Sequence, residues 1–567
     1  MKKLNWQEPL ALFDVAQTRQ LESLAAARIQ IGSSLMDQAG LAVAKLAMAI
    51  KPFAPCYWVF CGPGNNGGDG LEAATHLQRW GRQVRVVLWQ PGLQRPTDAA
   101  KALLKVQALG ISIQDAPPSH INVQDLCIDA MLGIGLRSPC SGHLTTPTAT
   151  PTATPKATPT ATPAAIHSAN DAGVNAVDNA SHASQAQMQT WIEGIYQWGA
   201  DVLAVDVPSG LNANTGQFQN KSIASNIQAS HTLQLLSAKP GCLTAHGRDA
   251  CGTLWLDALG SEDLQANTQA IAHLNVAMPP VTQTPYLSSA STASYASHAS
   301  HKGTFGDVVL IGGEGVEARG MGMTGAVDLA ASAALHAGAG RVMACYLSAD
   351  ESSNAHSPRM PEIMQRHFAA LNLKTGAIVC GCGGGLAVLQ VLPKVLQESM
   401  HLVLDADALN AISKDLWLRQ LLRQRCAKGM STVITPHPLE AARLLNTDSA
   451  SVQNDRLQAA QTLADDLNCT VVLKGSGTVL AKTGQTRVIN PTGNARLATG
   501  GTGDVLAGLV GARIAQGLPE FDAACAAVYE HGKAADDCRL PTLTAGKLAE
   551  LIRGPQTASW LPSRCET

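Results

Sequence analysis

Apolar and polar positions along the chain alternate between two periods. Short apolar runs of strand length, Cys56–Cys61, Val84–Trp89, Leu126–Asp129 and Val202–Val207, are separated by stretches with helical spacing. The longest of these stretches, Val15–Ile50, carries the apolar stripe of a helix, and a further helix is predicted from Leu71 to Trp80. In the second half, Asp307–Gly312, Ala377–Gly381, Leu402–Asp405, Thr432–Thr435 and Val471–Lys474 read as strands. Ala-rich helices are predicted over Met323–Ala337 and Asp504–Gln516. Near-continuous apolar strands that alternate with helices imply parallel sheets covered on both faces, so both halves are expected to be α/β.

Two segments break this texture. From Thr145 to Pro163 a Thr-Pro-Thr-Ala repeat places Pro147, Pro151, Pro155, Pro159 and Pro163 in register, and Ser, Ala, Asn and Gln continue to Met188. Proline at that density removes backbone donors, and the remaining side chains are too small or polar to build a core. Residues 145–188 are therefore expected to form a disordered insertion within the first half; a true interdomain linker is the alternative. A Ser/Ala/His-rich stretch around Leu287–His301 is the better boundary. It divides the chain into domains at 1–276 and 302–567, joined by a linker at 277–301, and 567 residues are more than one ordinary core accommodates.

A formal charge of −2 gives no reason to expect nucleic acid or an anionic membrane as a partner. The 14 cysteines are scattered without paired Cys-x-x-Cys units; Cys380 and Cys382 flank a single glycine. That distribution favours a reducing cytoplasm over a disulfide framework. Asn5, Gln7 and Glu8 interrupt any apolar leader core, and no apolar run approaches the roughly 20 residues of a spanning helix. The expected partners are small molecules and further copies of the chain in a homo-oligomer.

Candidate chemistry in the first half sits at strand ends. Cys61-Gly62-Pro63-Gly64-Asn65-Asn66-Gly67-Gly68-Asp69-Gly70 follows one strand, where glycine lets backbone amides turn toward a phosphate at a helix start. Asp129 ends another strand ahead of Gly133-Ile134-Gly135, and Asp206 ends a third ahead of Pro208-Ser209-Gly210. Either aspartate alone is also a plausible helix cap or turn residue, but polar ends on neighbouring parallel strands converge on one crevice.

Together these residues resemble the NAD(P)H-hydrate epimerase family over about Val15–Gly260. The resemblance implies that Asn65, Asn66, Gly67, Gly68 and Asp69 bind the hydrated nicotinamide nucleotide. It implies a second nucleotide loop at Gly133, Ile134, Gly135, Leu136, Arg137, Ser138 and Pro139. It also implies a potassium ion held by Asn66, Asp129 and Ser209, with Asp206 contacting substrate. Oxygen-only ligands suit such a hard cation. Opening and reclosing the hydrate at C6 needs one proton to be shuttled, which makes Asp206 the acid/base candidate. Asn212 departs from the family's usual aspartate, and the proline-rich insertion follows Pro139 directly.

In the second half, Lys474-Gly475-Ser476-Gly477-Thr478 follows a strand and offers an ammonium and turn amides to a phosphate, without the order of a Walker A loop. Gly500-Gly501-Thr502-Gly503-Asp504 precedes a helical run, an arrangement of successive amides and a carboxylate that can accept a hydroxyl proton; simple capping by Asp504 is the plainer reading. The Gly-Thr-Gly-Asp element is similar to that of ribokinase-like kinases. His301–Asp307, Leu404–Asn410, Thr435–Glu440 and Val528–Gly532 narrow the resemblance to the NAD(P)H-hydrate dehydratase family over about His301–Leu551.

That resemblance implies that Lys474, Gly475, Ser476, Gly477, Thr478 and Gly503 hold ADP, with ATP as the alternative. Ala326, Gly383, His437 and Asp504 match hydrate-contacting positions, and Asp504 is the expected base. Magnesium is expected on chemical grounds, with no sequence feature fixing its ligands. Gly381-Cys382-Gly383-Gly384-Gly385 departs from the family's Gly-Pro-Gly-Leu-Gly, and Glu314–Gly320 reads as a short insertion.

The two resemblances imply a Rossmann-like three-layer αβα domain followed by a ribokinase-like α/β domain. The implied activity is repair of hydrated NADH and NADPH (NADHX and NADPHX), by epimerisation in the first half and ADP-dependent dehydration of the (S) form in the second. A vitamin-precursor kinase, or a non-catalytic nucleotide-binding first half, are the competing readings.

Overall fold

The computed structural model describes every residue apart from 7, 30–33, 91, 136–185, 220–225, 277–299, 317–319, 348–359 and 554–567. In chain order its strands are β1 (Lys2–Lys3), β2 (Ala11–Leu12), β3 (Tyr57–Cys61), β4 (Val84–Leu88), β5 (Ser112–Gln114), β6 (Leu126–Ala130) and β7 (Asp201–Val205). They continue with β8 (His231–Leu235), β9 (Thr253–Asp257), β10 (Ala272–Leu274), β11 (Asp307–Gly312), β12 (Arg341–Tyr346) and β13 (Met364–Gln365). The last are β14 (Ala377–Cys380), β15 (His401–Leu404), β16 (Ser431–Ile434), β17 (Thr470–Leu473), β18 (Val479–Ala481) and β19 (Arg487–Ile489).

An 8-stranded sheet in the order β1-β9-β8-β7-β6-β3-β4-β5 organises the first half, parallel except for β1. Helices Leu35–Ile50, Asn65–Arg79 and Thr97–Ala108 pack on one face around Val43, Leu71 and Ala102. Residues 186–198 are helical and cover the other face through Met188, Trp191 and Ile195. The expected three αβα layers are present. Residues 186–188, assigned to the insertion from sequence, instead belong to this covering helix; residues 145–185 lie outside the described residues, as does the linker from 277 to 299.

The second sheet has 11 strands in the order β13-β12-β11-β14-β15-β16-β17-β18-β19-β10-β2. Its strands run parallel from β13 to β17 and antiparallel through β18 and β19. Helices Thr324–His336, Thr502–Ala515 and Glu520–Asp537 bury one face, and Val388–Glu398, Pro438–Leu445 and Arg456–Leu467 lie over the other.

This sheet corrects the boundary drawn near Val276. β10 pairs in parallel with β19, and β2 pairs with β10, so two strands from the first half extend the second sheet. Without them β19 would present an unpaired edge, and covering such an edge is a common way to block intermolecular pairing. Asn275 reinforces the join, its backbone N–H donating to Ile489 O and its Nδ2 to Cys525 O.

Candidate functional site

Four adjacent strands of the first sheet, β8, β7, β6 and β3, deliver their C-terminal ends to a cavity of about 1040 Å³. Asn65, Asn66, Asp69, Gly133, Ile134, Gly135 and Asp206 all line it, which brings together most of the positions singled out from sequence. Leu136, Arg137, Ser138 and Pro139 lie outside the described residues.

The glycine-rich stretch differs from expectation. The helix predicted from Leu71 already begins at Asn65, so Asn65–Gly70 forms its opening turns. Gly67 and Gly68 are buried and do not line the cavity. A Cβ on Gly67 would meet Gly62 O at 2.0 Å, and one on Gly68 would meet Met36 at 2.5 Å. These glycines admit close packing. The cavity-facing N-terminus has Gly64 at its cap with no side-chain bond, leaving its amides open.

Asp129 is fully buried and accepts from Ser209 N (2.8 Å), Ser209 Oγ (2.7 Å) and Met131 N (3.2 Å). Burial pushes its carboxyl up to about 6, opposed by the Ser209 bonds. Asn66 Nδ2 donates to Leu132 O at 2.9 Å, and Leu132 N donates to Ser209 Oγ at 2.9 Å, so Asn66, Asp129 and Ser209 form one oxygen-rich cluster.

Asp206 follows β7 with φ of +67°, a left-handed conformation that Asp tolerates better than most residues. Its Oδ1 accepts from Leu235 N at 3.0 Å and is ion-paired with Lys239 Nζ. Lys239 is 0% exposed, and its ammonium also donates to Leu235 O at 2.7 Å. Sequence reasoning missed this lysine; its only signal was a cation beside Pro240-Gly241 after an apolar strand. Glu22 also lines the cavity; burial and then Asp206 raise its carboxyl. Asp69 is raised well above the usual range, by burial first and then by Asp206, Glu22 and Glu72.

The second half repeats the principle. The chain leaves β14 at Gly381–Gly385, β15 at Asp405, β16 at Thr435–His437 and β17 at Lys474, all C-terminal ends of neighbouring parallel strands. The helix predicted from Asp504 begins two residues earlier, at Thr502 after Gly501 (φ +92°), so Asp504 lies within its first turn. His531 supports that start from behind, its Nε2 against Thr502 O at 2.9 Å, and burial lowers the imidazole to about 4.

Acceptor atoms of Cys382, Asp405 and Asp504 lie within 4.8 Å of one another. Burial, then proximity to Asp405, pushes Asp504 up to about 7, while the Cys382 thiol and Lys474 pull it down. Lys474 Nζ donates to Asp405 Oδ1 at 2.8 Å and lies beside Gly503, where an added Cβ would approach it to 3.3 Å. Asp405 was part of a quoted motif but received no role from sequence; its pairing across 69 positions is visible only in three dimensions.

Gly383 (φ +57°) faces Ala326, where an added Cβ would come within 2.9 Å of the alanine methyl, so these two positions touch. Glu314, read as the start of an insertion, is buried; its carboxylate accepts from Leu386 N and Ala387 N and fixes this turn. His437 is exposed and caps Pro438–Leu445 through Nδ1, while Glu440 answers from the same turn. Burial raises Glu440 to about 7 and lowers His437. Gly475, Ser476 and Thr478 form an exposed to half-buried turn, with Gly477 buried beneath it.

Two α/β halves, each converging buried carboxylates and an open helix N-terminus at its strand ends, define an enzyme with two separate sites. Residues 32–241 match the family described as YjeF-related protein N-terminus, and residues 308–553 match NAD(P)H-hydrate dehydratase. The bifunctional NAD(P)H-hydrate repair enzyme Nnr of Coxiella burnetii is 32% identical over 541 residues, covering 93% of this chain and 94% of that protein. The Nnr enzyme of Escherichia coli K12 is 32% identical over 530 residues, covering 91% and 87% respectively. The ADP-dependent (S)-NAD(P)H-hydrate dehydratase of Neisseria meningitidis serogroup B is 42% identical, covering 46% of this chain and 87% of that one. The chain belongs to the family of bifunctional NAD(P)H-hydrate repair enzymes, with an epimerase half followed by a dehydratase half.

Every cysteine among the described residues is a free thiol, and no helix among them is long and apolar enough to cross a membrane.

Proposed function

We propose that Asp206 carries the epimerisation of hydrated NADH and NADPH, and that Asp504 initiates dehydration of the (S) form with ADP as phosphoryl donor. The observation that carries this reading is the setting of Asp504: a half-buried carboxyl raised to about 7, in the first turn of a helix, beside the Lys474 ammonium. A base near the operating pH, next to amides and a cation, suits attack by a hydroxyl on a phosphoryl group.

In the dehydratase half, Lys474 and the amides of the Gly475–Gly477 turn take the ADP phosphates. The helix-start amides at Thr502 and Gly503 face the transferring phosphoryl group. Asp504 accepts the proton of the C6 hydroxyl as its oxygen attacks phosphorus and AMP departs. The C6–O bond then breaks and a proton leaves C5; the oxygen departs in inorganic phosphate and the ring double bond returns. Ala326, Gly383 and His437 border the hydrate. ATP can serve in the same place, since the turn contacts only phosphate chemistry shared by both nucleotides.

In the epimerase half, Asp206 shuttles a proton while the C6 substituent leaves and returns, and Lys239 holds the carboxylate in place. Asn65, Asn66 and the helix amides bind the nucleotide. The buried, oxygen-only cluster of Asn66, Asp129 and Ser209 fits a potassium ion, whose charge would offset a carboxylate that has no ammonium or guanidinium partner among the described residues. Magnesium is different. The cluster of Cys382, Asp405 and Asp504 includes a thiol and a carboxylate already paired with Lys474, a poor match for a cation that takes oxygen ligands. No step is assigned to it. Free thiols at every cysteine among the described residues suit a reducing compartment such as the cytoplasm.

Incubating the protein with (S)-NADHX and ADP and quantifying NADH, AMP and phosphate tests the chemistry. Equal amounts of the three are expected. A phosphorylated hydrate accumulating without NADH would support the kinase reading and overturn this one.

A further inference from the structure

The dehydratase nucleotide turn does not stand on its own half of the molecule. Thr244, from the segment that follows Lys239, is 0% exposed and lies under it. Its Oγ1 is 3.1 Å from Ser476 O and 3.2 Å from Gly477 O, and it accepts from Arg456 Nε at 3.3 Å. Ala245 N donates to Ser476 O at 3.0 Å, and Ser476 Oγ donates to Ala245 O at 2.8 Å. On the strand side, Arg456 Nη2 donates to Leu473 O (3.1 Å) and Lys474 O (3.2 Å).

These bonds fix direction. A peptide unit is planar and trans, so the carbonyl of one residue and the N–H of the next point in opposite directions. With the carbonyls of Lys474, Ser476 and Gly477 drawn to Arg456, Thr244 and Ala245, the N–H groups of Gly475, Gly477 and Thr478 face the other way. The amides of Gly475, Ser476 and Gly477 donate to no acceptor among the described residues. Gly475 and Gly477 thus present unpaired amides with a common direction, the elements of an anion-binding nest.

Two further features show that the contact is tight. Ala245 sits at φ +51°, a conformation costly for alanine that persists only where its surroundings hold it. A Cβ on Gly477 would meet Leu243 O at 2.2 Å.

We propose that Thr244 of the epimerase half is a positioning residue for the dehydratase: it aims the amides of the Gly475–Thr478 turn at the phosphates of a nucleoside diphosphate. This rests on the assignment of that turn to ADP. In this chain the carbonyl side of the turn is held by the first half, through a segment that begins at Lys239, the partner of the cavity-lining Asp206.

The test uses the full chain and three measurements: ADP affinity by calorimetry, KM and kcat for dehydration, and amide exchange of 475–478 with and without ADP. Thr244→Val, which keeps the shape and removes the hydroxyl, is expected to weaken ADP binding and raise its KM about tenfold. The change in kcat stays within twofold, epimer exchange by NMR is unaltered, and Thr244→Ser stays near wild type. If Thr244→Val loses its cooperative thermal transition, Thr244→Ala is read in its place with the same expectation. An ADP affinity within twofold of wild type in a folded hydroxyl-less variant overturns the proposal. Absence of ADP protection at 475–478 in the wild type overturns the assignment of the turn itself, a separate failure.

Discussion

Lys474 and Asp405 form an ion pair of 2.8 Å at the floor of the dehydratase site, and both act on Asp504 with opposite sign. Asp405 raises the Asp504 carboxyl and Lys474 lowers it. The wild-type rate of dehydration is therefore expected to fall on the acid side with an inflection near 7, since the base must be ionised. Asp405→Asn removes a raising influence and should move that inflection to lower pH. Lys474→Met removes a lowering influence and should move it to higher pH. Profiles of kcat/KM for both variants check the pair; shifts in the same direction contradict the geometry.

The same carboxyl links activity to stability. Folding holds Asp504 near 7 against an ordinary 3.8, so the folded state binds the proton more tightly than the unfolded chain. Its contribution is fully present below the unfolded value and is lost as pH rises through the folded one. Asp504→Asn carries no charge at any pH. Its melting temperature is expected to exceed wild type by about 2–4 °C at pH 8, with the difference shrinking toward pH 5. A gain that grows toward acid pH would refute the assignment.

Lys239 and Asp206 provide a second test by thermodynamic cycle. Removing one member of a buried pair leaves an uncompensated charge, so Lys239→Met is expected to cost about 3–5 kcal/mol in denaturant titrations. Adding Asp206→Asn to it should recover part of that loss. Additive losses would mean that the two groups do not interact.

Gly67 and Gly68 separate packing from ligand contact. Gly67→Ala forces a Cβ onto the backbone carbonyl of Gly62, whereas Gly68→Ala meets the flexible end of Met36 and the Ala99 methyl. Gly67→Ala is expected to destabilise by about 1–3 kcal/mol, and Gly68→Ala by less. Equal effects in urea unfolding would contradict this account.

These particulars show what was legible in the chain and what was not. Apolar runs located β3, β4, β6, β11 and the strands that carry the dehydratase site to within a residue or two, because buried parallel strands are apolar on both faces. Asn66, Asp129, Ser209, Asp206 and Asp504 were legible because polar residues ending such strands or opening a helix stand out. Lys239, Asp405, Glu22 and Cys382 were not, since their significance lies in partners distant in sequence. The start of helix Asn65–Arg79 was misplaced because glycine reads locally as a turn, whereas in this chain it admits the neighbouring Leu35–Ile50 helix. β2 and β10 were invisible for a related reason: such short strands form only where an edge awaits them.

The most direct test supplies the purified protein with mixed (R) and (S) NADHX and follows the reduced-nicotinamide absorbance with and without ADP. Wild type is expected to return both epimers to NADH only when ADP is present; Asp206→Asn should stop at the (S) fraction, and Asp504→Asn should return neither. Full recovery by Asp504→Asn, or recovery of both epimers by Asp206→Asn, would contradict the two-site account.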